Sequence, residues 1–220
     1  MPAWPNRLTI FDEHREMLFW LLLLGSWQFL ASPGKTTSAI GAAGSACFLV
    51  LAWKSLGRLR GFGMHQARWE PAYTGDWITA VATGFAAGGV IFGVASASDQ
   101  NMMLSADWKL VMLQVALGPV LEEIVFRGYL FAALIWLFRR IAGRVLPNWA
   151  LIVIAALVFA LVHLAHPGVR WLELACIAST GTLYGWIRCR SGSTAPAAAS
   201  HAAYNLALYA AVKILVVIGG

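Results

Sequence analysis

The sequence predicts an all-α, polytopic transmembrane helical bundle, and three observations carry that prediction. Hydrophobic residues make up 60% of the chain. Charged residues make up 12%, against roughly 25% in ordinary soluble domains. The apolar residues are gathered into runs that approach or exceed the about 20 residues a membrane span requires, and turn residues separate the runs. In 220 residues there is room for about seven spans, with space for an eighth short helix, and the chain reads as one integral membrane domain over residues 1–220.

Residues 1–16 are polar and mixed in charge, and they lead into an apolar run from Met17 to Ala31. Phe29 stands three residues before the cleavage point that a signal peptide would need after Ala31, so this run reads as a retained first helix. Ser32, Pro33 and Gly34 turn the chain into a second span from Ser38 to Leu56. The longest loop, basic and turn-rich, covers 57–75 and is the place for an eighth helix. A third span from Trp77 to Ser96 carries Gly84 with Gly88 and Gly89 with Gly93, both at the spacing that lets helix backbones approach closely.

The fourth segment, Trp108 to Phe138, would be about 46 Å long if helical throughout, longer than the roughly 30 Å hydrocarbon core. It must tilt, kink or protrude. Pro119 has no N–H to donate, so a break with freed polar backbone is expected beside it. The fifth span runs from Asn148 to Ala165, the sixth from Trp171 to Ile187, and the seventh from Pro196 to Val217.

The net charge of +6 does not point to nucleic acid, because the basic residues stand at the ends of apolar runs and form no extended cluster with interleaved aromatics. With seven spans, eleven lysines and arginines, Arg188 and Arg190 among them, fall on the side of the N-terminus and four on the other. That bias places the N-terminus in the cytoplasm and the C-terminus outside. Cys47, Cys176 and Cys189 are odd in number and widely spaced, which indicates neither a disulfide framework nor a zinc knuckle.

Within the fourth segment, residues 118–128 read GPVLEEIVFRG, three ionisable groups in an apolar stretch. Each costs at least about 2.5 kcal/mol in a membrane, so such groups face a bundle interior or a wet cavity. Glu123 and Arg127 stand four apart on one helical face and can pair. Glu122 is turned about 100° from that face and has no local partner, which makes it a candidate general base or acid. The fifth span ends its FALVH in His163, and the seventh carries HAAYN, with His201 and Asn205 on one face. Polar groups in three separate helices can converge only inside the bundle.

EEIVFR fits EExxxR, FALVH fits FxxxH and HAAYN fits HxxxN, in that order. The set resembles the CPBP family of intramembrane endopeptidases, also called the CAAX protease and bacteriocin-processing or Abi family, over residues 108–210. The resemblance implies that Glu122 and His163 activate a water, that His201 and Asn205 stabilise an oxyanion, and that Glu123 and Arg127 support them. It implies a membrane-anchored protein or peptide as substrate, such as a prenylated tail, a bacteriocin leader or a sorting anchor. The bilayer of a bacterial inner membrane would be the setting. No cofactor is required by this chemistry, since a base and aimed donors suffice for amide hydrolysis. A zinc ion held by Glu122, His163 and His201 is the alternative. A non-catalytic immunity or chaperone module and a proton-relay transporter are the other classes; intact motifs argue against the former, and the lack of an evident repeat argues against the latter.

One expectation conflicts with the rest. Measured from the cytoplasmic ends, Glu122 lies about 25 Å deep and His163 about 22 Å, but His201 only about 8 Å. Either the seventh helix begins deeper than Pro196 suggests, or the fourth segment is offset.

Overall fold

Apolar, alanine-rich and glycine-rich runs give helices throughout a computed structural model that describes residues 68–69, 72–98, 111–165 and 169–219. The first and second expected spans, Cys47 and His166 lie outside the described residues. All described residues belong to one unit, 65–220, which contains five helices and, among the described residues, no strand.

Helix α1 is Thr74–Ala97 and matches the expected third span. Asp76 in its first turn suits the positive end of the helix dipole, and the Ser98 hydroxyl donates to the Val94 carbonyl at the other end at 2.7 Å. It is long and apolar enough to cross a membrane. Helix α2 is a continuous helical run over residues 111–142, and its hydrogen-bond register changes along its length. A π-helical turn, Leu113–Leu117, precedes an α segment, Gly118–Glu123; a second π-helical stretch, Ile124–Leu130, precedes the α-helical end, Phe131–Ala142. Gly143, at φ +65°, ends it.

Helix α3 is Asn148–Val162, a shorter apolar helix that tightens into a 3₁₀ turn at His163–Ala165. Helix α4, Trp171–Ser191, opens with the Arg170 N–H donating to the Glu173 carboxylate at 2.9 Å and closes at Gly192, φ +69°. Helix α5 is Thr194–Gly219.

The pairing of α1 with α5 depends on the first of the two glycine pairs. A Cβ on Gly84 would collide with the Ser200 carbonyl, and one on Gly88 would come within 2.6 Å of Ala207 Cβ. Among the described residues Gly89 and Gly93 meet nothing within 4 Å, so the second pair makes no close helix contact there. Both are exposed on the opposite side of α1.

Pro119 does not break α2. It sits near the start of the Gly118–Glu123 segment, and the π turn just before it absorbs the change of register. From Trp136 to Arg144 the end of α2 is exposed. The start of α5 is buried, since Ser193 to Ala198 are all buried and the Thr194 N–H donates to the Arg68 carbonyl at 2.9 Å. The unequal depths expected for the motifs do not keep them apart, because His201 reaches the glutamates.

Candidate active site

The GPVLEEIVFRG segment is the most buried stretch of the unit, with every residue from Leu121 to Tyr129 buried. Glu123 and Arg127 are fully buried and paired, Arg127 Nη1 donating to Glu123 Oε1 at 3.1 Å. This is the ion pair that the four-residue spacing predicts. The guanidinium is then fixed by groups the spacing does not reveal. Its Nη2 donates to the Gly181 carbonyl at 2.8 Å, and its Cζ lies 4.6 Å from the Phe159 ring centre and 5.4 Å from that of Tyr184. Gly181 is glycine for this reason: an added Cβ would stand 3.1 Å from Arg127 Nη2 and 3.2 Å from Phe159.

His201 arrives from α5 and bridges the two glutamates. Its Nδ1 is 3.0 Å from Glu123 Oε1, so that one oxygen serves both Arg127 and His201. Its Nε2 is 3.9 Å from Glu122 Oε2, too long for a direct hydrogen bond but close for a charge interaction. The expectation of Glu122 as an unpartnered carboxyl is thus corrected. An imidazole carries nitrogens on two sides of its ring, and His201 meets both carboxylates from another helix. Tyr184 stacks on the far face of that imidazole, with ring centres 4.5 Å apart and 17° between planes.

His163 is half-buried where α3 tightens into its 3₁₀ turn. Its Nδ1 lies 2.8 Å from the Phe159 carbonyl. A carbonyl only accepts, so Nδ1 carries the proton, and in the neutral ring Nε2 presents a lone pair. Phe159 ties the two histidines together, its ring centre 4.8 Å from that of His163 and 5.9 Å from that of His201.

Asn205 has a task that the motif alone does not disclose: its Nδ2 donates to the Gln114 carbonyl at 2.9 Å. In the π turn the Gly118 N–H goes back to Leu113, and the next residue along, Pro119, has no N–H. Neither donor that could serve Gln114 in α or π register does so, and Asn205 takes their place. Pro119 therefore frees a polar carbonyl, as expected, but the carbonyl is capped by the motif asparagine.

Arg188, counted from sequence among the loop charges, is buried on α4, with Nε donating to the Arg127 carbonyl at 3.2 Å. Arg190, two residues on, is the exposed one and faces Asp76 at 4.0 Å. Only its position inside the sequence GWIRCR, one helical turn after Tyr184, could have flagged Arg188 as facing inward.

The zinc alternative calls on Glu122, His163 and His201. Glu122 and His201 come together, but among the described residues no three His, Cys, Asp or Glu side chains gather to hold an ion. Cys176 and Cys189 are free thiols.

Residues 104–207 match the family model described as type II CAAX prenyl endopeptidase Rce1-like. The match contains Glu122, Glu123, Arg127, His163, His201 and Asn205. No curated protein and no solved structure matches the chain.

Proposed function

We propose, for a chain whose residues 104–207 belong to the Rce1-like family of type II CAAX prenyl endopeptidases, the activity of a metal-free intramembrane endopeptidase that acts on a membrane-anchored protein substrate. The observation that carries this reading is the buried meeting of Glu122, Glu123 and His201, contributed by two helices inside the matched segment. The description of the matched family favours a prenylated CAAX tail over a bacteriocin leader or a sorting anchor.

In the proposed reaction Glu122 accepts a proton from water while the lone pair of His163 Nε2 orients that water. The water oxygen bonds to the scissile carbonyl carbon, and the carbonyl electron pair moves onto oxygen. His201, held through Nδ1 by Glu123, stabilises the oxyanion as an imidazolium through Nε2–H. Asn205 contributes its second amide hydrogen beside it, the first being held by Gln114. The C–N bond then breaks, and the proton on Glu122 passes to the leaving amine. Donors that are already fixed before substrate arrives need no reorganisation as charge develops, which is where most of the rate gain lies.

The setting is a bilayer, in keeping with an apolar α1 long enough to span one. The test uses purified full-length protein in lipid nanodiscs, prepared in strong chelator and shown metal-free by elemental analysis, with a farnesylated CAAX peptide. Release of the C-terminal tripeptide, identified by mass spectrometry, is the expected result. No cleavage by the metal-free protein, restored by stoichiometric zinc, would replace this mechanism with a zinc one.

A further inference from the structure

We infer that Arg188 is a positioning residue for the glutamate segment, acting through the backbone of α2 and not through substrate. The observation is the arrangement of the two π-helical stretches, Leu113–Leu117 and Ile124–Leu130, which bracket Gly118–Glu123. A carbonyl at each is short of its usual helical donor. At Gln114 the reason is Pro119 and the diverted Gly118 N–H. At Arg127 the α-helical donor is the Phe131 N–H, and that group donates to Gly128 instead.

Each of these carbonyls is taken by a side chain from a different helix. Asn205 of α5 holds Gln114, and Arg188 of α4 holds Arg127. In an apolar surrounding a carbonyl without a donor is costly, so each bond stabilises the local π register. That register matters for the site because π turns change the angular offset between successive side chains, and so decide which faces Glu122, Glu123 and Arg127 present. Arg188 thus fixes one end of the segment and Asn205 the other. A planar guanidinium suits the task, since Nε donates to the carbonyl from a rigid fork.

Arg188 lies outside all three motifs. Its charge is also set against the cationic Arg127 of the same region, so a purely packing role would be better filled by an apolar side chain of similar volume. The directional bond to the Arg127 carbonyl is what the buried guanidinium adds beyond packing.

The test compares wild type with Arg188→Met, Arg188→Leu and Arg188→Lys as full-length proteins in nanodiscs. The first readout is independent of activity: the rate at which dicyclohexylcarbodiimide modifies Glu122, relative to exposed Glu173 as internal reference, followed by mass spectrometry. The expected result is a several-fold change in that ratio for Arg188→Met, with Arg188→Lys within about twofold of wild type because it keeps a donor. The second readout, which rests on the proposed function, is a fall of about tenfold or more in kcat on the farnesylated CAAX peptide with KM held within about twofold. A ratio unchanged in folded Arg188→Met, or in Arg188→Leu should the methionine variant fail to fold, would overturn the inference. Wild-type protein inactive on the peptide would count against the proposed function alone and leave the labelling ratio to judge Arg188.

Discussion

Glu123 is the residue on which the site's charges converge. One oxygen of its carboxylate accepts from Arg127 at 3.1 Å and from His201 at 3.0 Å, and the side chain is fully buried. Replacing it with glutamine keeps the shape but leaves the Arg127 cation without its counter-charge, a loss of about 3–5 kcal/mol for a buried pair. Glu123→Gln is expected to lower the unfolding midpoint in detergent by a matching amount; a midpoint equal to wild type would show that Gly181, Phe159 and Tyr184 suffice to hold the guanidinium. The pair itself was legible in the sequence, because four residues on a helix is a fixed geometry. The bridging of Glu122 and Glu123 by His201 was not, since it depends on a contact across 78 residues of chain. The same holds for Arg188, whose neighbourhood in sequence is that of an exposed loop while its fold neighbourhood is the Arg127 backbone.

At the scale of elements, apolar run length and turn residues located the five described helices to within a few residues, and they found Gly84 and Gly88 as a close-packing pair. They could not separate that pair from Gly89 and Gly93. Spacing states that two glycines share a face but not which face a neighbour will use. Gly84→Ala should destabilise by about 1–3 kcal/mol because the added methyl meets the α5 backbone, whereas Gly89→Ala should change stability by no more than about 0.5 kcal/mol. Equal effects at the two positions in detergent unfolding would contradict the pairing of α1 with α5. The π turns of α2 were beyond sequence reading for a physical reason. They are set by carbonyls whose donors are side chains on α4 and α5, and Pro119 signals only that one backbone donor is missing.

For the whole molecule the distribution of positive charge predicts an orientation in the membrane. Burial of Arg188 removes one charge from the cytoplasmic count and leaves ten against four, so the direction of the bias stands. Reporter fusions at Gly220 are expected to be active outside the cytoplasm, and activity only inside it would mean a miscounted span. Each of the three motifs places its residues on one helical face, and the fold brings at least two of them, EEIVFR and HAAYN, into direct contact. Glu122 is the centre of that meeting. The farnesylated peptide assay with Glu122→Gln protein, folded and reconstituted beside wild type, therefore tests the proposed chemistry most directly. Loss of the base should reduce cleavage by about 10²–10⁴-fold while the protein remains in the membrane with an unaltered unfolding midpoint. Cleavage by Glu122→Gln at near the wild-type rate would contradict a glutamate-activated water.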